Sequence, residues 1–531
     1  MRSLWTLAAL GMACSSNPGP GADAALGDPV VPGDTAADTG AADAPPVEID
    51  AWSTAVREGC AVCVDASVSL TDSAAVTVWI GPEDGTLTPW VRSEAAREHR
   101  IPILQLRPET TYAVALQVGD AAPPTGAPDG VFATGTLPPG FPPLQTTVSA
   151  GPSSEPGITL VTIIATRTDA TEHFLAALDG EGHVVWYEQL AGGGLGLKLD
   201  GNGRILSTEG TDRAIRIDPL AGTKTVWLAE DLGVDTIHHE VRPTDGGGFT
   251  AFASEHVVSP GWWETDDGDS LTFNIISDII ASFDETGQMT WSWSLLDHVD
   301  PLAHHTEAMH WPFWNMPPYD HLDAPKDWSH GNALLPTETG WLASFRNLDW
   351  LIQLDAGTGD IDYIFGPYGD FALAPGGLWF SRQHAPHVLE NGNILLYDNG
   401  NNRTGTLLSP QGYSRVVEYS LDFDTMTATE EWAWTGGGEQ FLSPVVGDVD
   451  PLPNGHHLIT DGAIIETETN ALGIPVNHFS ARIREVSGLP DDPAIVWEVI
   501  VGTPGDIAAE NWIVFRSLRL PSLYPVSARP Q

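Results

Sequence analysis

The stretch "ENGNILLYDNG" (residues 390–400) places a glycine-containing turn directly before a short apolar run, and variants of it recur along the chain. The other copies are "DGNGRILSTEG" (200–210), "PTDGGGFTAFASE" (243–255), "PTETGWLASFR" (336–346) and "PNGHHLITDG" (453–462). Turn residues followed by a short apolar run are typical of β-hairpins. Recurrence at roughly 40–70 residues predicts a repeated sheet architecture.

A second pattern, an Asp- and Gly-containing turn before an aromatic strand, recurs six times. The copies are "DGEGHVVWYEQ" (179–189), "DPLAGTKTVWLAE" (218–230), "DETGQMTWSWSL" (284–295), "DAGTGDIDYIFG" (355–366), "DFDTMTATEEWAW" (422–434) and "DDPAIVWEVI" (491–500). Six copies predict a six-bladed β-propeller over residues 138–531. The later segment "AENWIVFRSLRLPSLY" (509–524) is expected to supply strands that close the ring.

A smaller β-domain is predicted to precede the propeller, over residues 48–137. The segment "AAVTVWIG" (74–81) alternates as a half-buried strand does, and "LQLRPETTYAVALQVG" (104–119) resembles the strand of a fibronectin type III module that carries a structural tyrosine, here Tyr112. A proline-rich boundary, "TLPPGFPP" (136–143), follows. The predicted fold is therefore all-β, with a scaffold-like β-sandwich ahead of the propeller.

The chain is strongly acidic, and this excludes several classes of partner. It has 23 Lys and Arg against 71 Asp and Glu, a formal charge of −48. Nucleic acid and anionic lipid surfaces would be repelled. An anionic small molecule would have to be drawn into a local cationic pocket against the overall field.

The start of the chain indicates export. "MRSLWTLAALGMAC" (1–14) has an arginine, a short apolar run and then Cys14, which resembles an export signal of the lipoprotein type. Residues 15–47 have the composition of a disordered tether. We therefore expect a periplasmic protein, or a lipoprotein of the outer membrane or cell surface. In an exported protein the pair Cys60 and Cys63 is expected to form a local disulfide.

Histidines precede three successive turn motifs at nearly the same position. They are His238 and His239 in "DTIHHEVRP", His330 in "KDWSHGNALLP", and His384 and His387 in "SRQHAPHVLE". Asn332 follows His330, and Arg346 interrupts an apolar strand of the same predicted blade. Because a guanidinium in apolar surroundings needs an anionic partner or ligand, these residues are candidates for one site at the propeller mouth.

Two chemistries could use such converging imidazoles. A metal site would favour carboxylate ligands, and Glu240 directly follows His239. However, neighbouring residues on a strand point to opposite faces, so His239 and Glu240 would not both face the site. The segment "HHTEAMH" (304–310) also lacks the spacing of a metalloprotease helix. An oxyanion site would pair histidines with Arg346 and the Asn332 amide. We favour the oxyanion site, with no metal and no cofactor.

Four segments resemble bacterial arylsulfotransferases that do not use PAPS: "DWSHGNALL", "ASFRNLDWLIQLD", "QHAPHVLENGNILLYDNGNNR" and "SRVVEYSLDFDTMTATEEWAW". The resemblance implies a periplasmic six-bladed propeller that transfers a sulfuryl group between phenols through a sulfohistidine. It implies His384 as nucleophile, His330 and Asn332 as a sulfate-binding pair, and Arg346 as the accompanying cation. It also matches a further substrate-binding histidine to the "HHE" stretch, where His239 is the better candidate than His238 because an acidic residue follows it. The "DNG-x-x-R" pattern ending at Arg403 matches as well, and we interpret Arg403 as mainly structural.

The predicted function is thus an arylsulfate sulfotransferase with ping-pong kinetics, whose partners are a small aryl sulfate donor and a phenolic acceptor. One alternative is a surface-tethered propeller that binds without catalysis, through the His-, Trp- and Pro-rich insertion at 298–326. That insertion could also roof the mouth and influence acceptor choice. A second alternative is a histidine-ligated metalloenzyme.

Overall fold

Seven antiparallel strands occupy the N-terminal part of the computed structural model, which describes residues 46–166, 172–264, 270–304, 313–401, 412–438, 440–469, 475–503 and 512–529. The strands are β1 (Ile49–Arg57), β2 (Cys60–Ala74), β3 (Val76–Pro82), β4 (Thr88–Arg92), β5 (Ala96–Ile103), β6 (Thr111–Val118) and β7 (Gly130–Ala133). They form a three-stranded sheet in the order β1-β2-β5 and a four-stranded sheet in the order β4-β3-β6-β7. The predicted export signal, most of the predicted tether and Arg403 lie outside the described residues.

Two local features of these sheets follow the sequence pattern. Alternate residues of β2, such as Val62, Val64 and Val68, are buried, as expected for a strand with one face toward a core. The backbone N–H of Arg107 donates to the Tyr112 hydroxyl at 2.9 Å, so the tyrosine expected to be structural ties its strand to the preceding turn. Cys60 and Cys63 form a disulfide, as predicted.

The rest of the described chain is also built almost entirely of strands. They are β8 (Leu144–Val148), β9 (Ile158–Ala165), β10 (His173–Leu178), β11 (Val184–Leu190), β12 (Lys198–Leu199), β13 (Ile205–Thr208), β14 (Arg213–Asp218), β15 (Thr223–Leu228), β16 (His238–Pro243), β17 (Phe249–Glu264), β18 (Ser270–Phe283), β19 (Met289–Ser294), β20 (Lys326–Asp327), β21 (Gly331–Pro336), β22 (Gly340–Phe345), β23 (Trp350–Asp355), β24 (Ile361–Phe365), β25 (Ala372–Leu373), β26 (His384–Val388), β27 (Ile394–Asp398), β28 (Arg415–Asp422), β29 (Thr427–Trp434), β30 (Asp448–Pro451), β31 (His457–Thr469), β32 (Pro475–Ser487), β33 (Ala494–Val501) and β34 (Trp512–Leu520). Helical structure is confined to α1 (Ala229–Leu232) and to short 3-10 turns at Leu295–Asp297, Arg346–Leu348 and Val526–Ala528 in the described ranges. No helix there has the length and apolar character needed to cross a bilayer.

These strands form six sheets within the described residues. Sheet 1 has the order β11-β10-β9-β34, sheet 2 β12-β13-β14-β15, sheet 3 β16-β17-β18-β19 with β20 beside β18, sheet 4 β21-β22-β23-β24, sheet 5 β25-β29-β28-β27-β26 and sheet 6 β30-β31-β32-β33-β8. Sheet 1 takes a strand from near the C-terminus, because β34 pairs antiparallel with β9. Sheet 6 takes β8 from the start of the region. The C-terminal segment thus closes a sheet begun early in the chain.

From sheet 2 to sheet 6, one strand of each sheet contacts a strand of the next sheet. Strand β16 contacts β13 and β21, β21 contacts β26, β26 contacts β30, and β30 contacts β34. Apolar cores fill the space between neighbouring sheets, and one of them joins Phe252 and Trp293 of sheet 3 to Phe345 and Ile352 of sheet 4. This packing brings the starts of β16, β21 and β26 together, where the predicted site residues lie.

Candidate active site

A β-bulge interrupts one edge strand in each of sheets 3, 4 and 5, namely β16, β21 and β26. The register shifts fall between His238 and Val241, between Gly331 and Ala333, and between His384 and His387. Three residues within or next to these shifts have positive φ although they are not glycine: His239 at 58°, His330 at 55° and Ala385 at 46°. A bulge re-aims side chains that strict alternation would send elsewhere, and strained non-glycine backbone concentrates at functional sites.

His384 is buried and held through one ring nitrogen. Its Nδ1 lies 2.7 Å from Asn399 Oδ1 and 3.2 Å from the Arg382 carbonyl oxygen. The Asn399 amide nitrogen donates to the carbonyl oxygens of Ser443 and Val446, each at 2.7 Å, so Oδ1 must face the imidazole. Nδ1 therefore carries the proton, and Nε2, which has no hydrogen bond in the described part of the chain, keeps its lone pair.

The surroundings of His384 favour the neutral imidazole. Burial lowers its pKa well below the usual value of 6.5, and the positive charge of Arg346 lowers it further. The hydrogen bond that His384 Nδ1 donates to Asn399 Oδ1 acts in the opposite direction without reversing the shift. A neutral imidazole with a free Nε2 is the nucleophilic form of histidine.

Arg346 is close enough to this imidazole to lower its pKa, and it follows the end of β22 rather than lying within the strand. The sequence placed it inside an apolar strand, whereas the structure places it at the first position of a 3-10 turn. Its Nη1 donates to Asn347 Oδ1 at 2.8 Å and its Nη2 donates to the Pro444 carbonyl oxygen at 2.9 Å. Burial and the neighbouring Arg382 lower its pKa to about 10, so Arg346 remains a cation at neutral pH.

Arg346 keeps one donor available for a ligand. Its Nε is buried and has no hydrogen-bonding partner among the described residues. A buried N–H without a partner is costly, and an anionic ligand would satisfy it.

His330 and Asn332 come from the same strand start, and each is fixed by a neighbour. His330 Nδ1 lies 2.5 Å from Asp327 Oδ2, which orients the ring and leaves Nε2 free. Asn332 Nδ2 donates to the Gln383 carbonyl oxygen at 2.7 Å, so Asn332 is tied to the segment that carries His384. The predicted pair is therefore pre-positioned by contacts within and between two sheets.

His239 completes the group, as the sequence predicted. Its ring centroid lies 4.5 Å from that of His330 and 5.7 Å from that of Phe515. Burial lowers its pKa well below 6.5, with further lowering from His330, His238, His384 and Arg346. The predicted residues of three sheets thus come together in one buried, electropositive site.

Comparison with known proteins agrees with this geometry. The family model for arylsulfotransferases (ASST) matches residues 146–490, well over half of the chain. The chain belongs to the arylsulfotransferase family. The family as a whole catalyses PAPS-independent transfer to or from aryl sulfates, so a transferase acting on small aryl substrates is supported in general terms.

Further comparisons add little. No curated protein matches. Solved structures that match include a protein of unknown function from Bacteroides caccae, with 12% identity, coverage of 68% of this chain and 100% of that one, and a TM-score of 0.35. A putative gluconolactonase matches with 10% identity, coverage of 72% and 96%, and a TM-score of 0.23.

The insertion contributes aromatic walls to the arylsulfotransferase site. The Phe313 ring lies 4.7 Å from the His330 ring and 5.4 Å from the His239 ring, measured between centroids. Trp314 packs edge-on against His238 at 5.2 Å. Residues 305–312 of the insertion lie outside the described residues. The described part of the insertion thus places two aromatic rings against the histidines of the candidate site.

Several contributors were not recognised from the sequence. Asn399 and Asp327 orient His384 and His330, and Phe515 comes from the C-terminal strand β34. Local signals existed for Asp327 in "DWSHGN" and for Asn399 in "DNGNN". No local signal marks Phe515, because its position depends on closure of sheet 1 by a strand from near the end of the chain.

Glu240 and His387 are engaged in ion pairs of their own. Glu240 Oε2 lies 2.7 Å from Arg516 Nη2, and Arg242 Nε lies 3.2 Å from Glu240 Oε1. His387 Nε2 lies 3.1 Å from Asp450 Oδ1, in a group with Asp448 whose ligand-type atoms all lie within 4.8 Å of one another. The bulge buries Glu240 together with His239, but Glu240 balances cations and is not directed to a metal held by the site histidines.

Proposed function

We propose that this arylsulfotransferase moves a sulfuryl group from a phenolic sulfate ester to a phenolic acceptor by a ping-pong mechanism with a sulfohistidine at His384. The observation that carries the proposal is the neutral, oriented His384, with Nδ1–H donated to Asn399 and Nε2 free beside the Arg346 cation. A neutral nucleophile next to a fixed cation suits attack on an anionic ester. The cation attracts the sulfate without protonating the nucleophile.

In the first half-reaction His384 Nε2 attacks the sulfur of the donor. The N–S bond forms as the ester O–S bond breaks, and the electron pair of that bond leaves with the phenolate. In the second half-reaction the acceptor oxygen forms a new O–S bond, the N–S electrons return to Nε2, and the acceptor proton passes to a base. By analogy with phosphoryl transfer, most of the catalysis is positioning and electrostatic stabilisation.

The three equatorial oxygens of the sulfuryl group need fixed donors. Arg346 offers Nε, and Asn332 is held in place through Gln383. His330 would donate from Nε2 in its cationic form, whose charge Asp327 would balance. Removal of one such donor commonly raises the barrier by about 3 kcal/mol.

We also propose an overall architecture for the two β-sheet regions of the chain. The six sheets are the blades of a six-bladed β-propeller, and the two N-terminal sheets are a fibronectin-III-like sandwich. The mostly antiparallel pairing within the sheets, the closure of sheet 1 by β34 and the contacts between strands of neighbouring sheets support this proposal. The N-terminal sequence supports export to the periplasm or cell surface, with Cys14 as the membrane tether of a lipoprotein.

The deciding experiment is mass spectrometry of the protein after incubation with p-nitrophenyl sulfate. We expect one added sulfuryl group on the peptide that contains His384 and none in His384→Asn. His387→Asn is the matched control, because His387 lies on the same peptide and pairs with Asp450. A protein that binds aryl sulfates without forming the adduct would be a binding module and would overturn the proposal.

A further inference from the structure

A chain of polar groups leads away from His239 into sheet 3. His239 Nδ1 lies 2.8 Å from His238 Nδ1, and His238 Nε2 lies 3.1 Å from Asp278 Oδ1. Asp278 is buried, and its Oδ2 accepts from the Gly331 N–H at 2.7 Å and from the Ser329 hydroxyl. The order from the site inward is therefore His239, His238 and Asp278.

The positions of the protons in this row of polar groups follow from the state of Asp278, its most distant member from the site. Its hydrogen bonds lower the pKa of Asp278 despite burial, so Asp278 is a carboxylate and can only accept. His238 Nε2 lies 3.1 Å from this carboxylate in a contact that does not meet hydrogen-bond geometry. A nitrogen lone pair facing a carboxylate would be repelled, so we infer that Nε2 carries the proton. In neutral His238 the Nδ1 is an acceptor, so His239 Nδ1 donates to it. His239 Nε2 is left with a lone pair and has no partner in the part of the chain that the structure describes.

This arrangement differs from that of His330, the other carboxylate-backed histidine of the site. The two rings lie 4.5 Å apart, and close positive charges disfavour one another. His330 contacts its carboxylate directly, whereas His239 reaches Asp278 only through His238. Groups whose environments differ in this way divide acid and base roles between them. His330 is suited to donate to the sulfuryl group, and His239 is suited to accept a proton.

We infer that Asp278, His238 and His239 form a proton relay in which His239 Nε2 takes the proton of the acceptor phenol. This inference rests on the proposed function. His239 is then a catalytic residue, and His238 and Asp278 are positioning residues that act through it.

The relay conserves protons over the cycle. As the acceptor oxygen bonds to sulfur, its proton passes to His239 Nε2, and the Nδ1 proton of His239 passes to His238 Nδ1. The positive charge then lies on His238, whose Nε2 is 3.1 Å from Asp278 Oδ1. The reverse shift returns the proton to the phenolate released from the next donor.

The relay predicts that His238→Gln impairs the two half-reactions unequally. Glutamine can accept the His239 N–H but cannot take up a proton. p-Nitrophenolate leaves without an acid, so sulfurylation of His384 by p-nitrophenyl sulfate should stay within about threefold of wild type. Transfer from sulfohistidine to phenol should fall by about 100-fold or more, the usual scale of general base catalysis. With acidic phenols such as p-nitrophenol as acceptors, the transfer rate of His238→Gln should fall by less than about tenfold relative to wild type.

The outcomes separate this inference from the function on which it rests. A wild-type protein that forms no adduct overturns both. The relay alone is overturned if the wild type is active and His238→Gln lowers the transfer rate by the same factor for every acceptor. The same conclusion holds if His238→Gln slows both half-reactions equally. Asp278→Asn provides a second variant with the same expected dependence on acceptor acidity, should His238→Gln unfold. His256→Gln is the control, since His256 lies on β17 of the same sheet with Nε2 3.0 Å from Asn274 Oδ1. Its transfer rates relative to wild type should be the same for every acceptor.

Discussion

His384 Nδ1 lies 2.7 Å from Asn399 Oδ1, and this hydrogen bond decides which ring nitrogen can react. The amide cannot be reversed without loss of its two donations to backbone carbonyls. Asn399 belongs to the turn after β27, and His384 begins β26, the strand paired with β27. A hairpin of one sheet thus sets the tautomer of the proposed nucleophile, and the Oδ1 dipole would also stabilise the positive ring of the proposed sulfohistidine.

Asn399→Asp should shift the pH dependence of catalysis. A carboxylate beside Nδ1 raises the pKa of His384, so a larger fraction of the nucleophile is protonated at a given pH. The acidic limb of the kcat/KM profile should therefore move to higher pH. Asn391→Asp, in the exposed turn of the same hairpin, is the control. An acidic limb that stays in place in Asn399→Asp would show that Asn399 does not act on His384.

Arg346→Lys should lower kcat for aryl sulfate donors by about 100-fold or more, because an ammonium cannot reproduce the fork of donors. The measurement is steady-state turnover per folded molecule, with folding checked by thermal denaturation. Arg484→Lys is the control for loss of a buried guanidinium, since Arg484 pairs with Asp461 and stacks on Trp434. The Arg484→Lys substitution should lower Tm, while turnover per folded molecule should stay at the wild-type level. Equal turnover in Arg346→Lys and wild type would exclude Arg346 from the site.

Stability should fall as pH drops below about 6.5, the usual histidine pKa. His239 and His384 have folded-state pKa values well below 6.5, so the unfolded chain binds more protons than the folded chain in this range. The stability that these groups contribute is complete above the unfolded pKa and is lost with acidification. Urea unfolding at pH 7.5 and pH 5 measures the effect. The pH-dependent loss should be smaller in His239→Asn and His384→Asn, and an unchanged loss in both would contradict the assignment.

Phe313→Ala should weaken binding of the aromatic substrate without removing the sulfuryl chemistry. The ring packs against His330 and His239, where a phenol would stack. We expect KM for a phenolic acceptor to rise by about tenfold, in line with the loss of roughly 1–1.5 kcal/mol of aromatic contact, while adduct formation on His384 persists. Phe423→Ala removes an exposed phenylalanine distant from these contacts and should leave KM unchanged. Unchanged KM in Phe313→Ala would show that the acceptor approaches elsewhere.

The local sequence was sufficient to predict the hairpins and the histidine positions. Turn chemistry followed by apolar runs, as in "ENGNILLYDNG", acts over a few residues, and the structure shows strands at each such run. The matching position of the histidines before successive turns predicted that His239, His330 and His384 would meet. Regular repetition carries this information because each copy occupies the same place in its own sheet.

Other features depended on contacts between distant parts of the chain. Strict strand alternation separated His239 from Glu240, whereas the bulge in β16 buries both and directs them to different partners. Arg346 leaves the strand for a 3-10 turn, where Asn347 and Pro444 hold it.

The sequence by itself determined the all-β composition and the family, and it singled out the candidate site residues, because these follow from short motifs. Only the tertiary structure decided the state of those groups. The tautomer of His384 depends on Asn399 and on two carbonyl groups more than forty residues away, and the direction of the His239 proton depends on Asp278 in another strand. Protonation and orientation are set by burial and by partners across sheets, and such partners are assembled only when the chain folds.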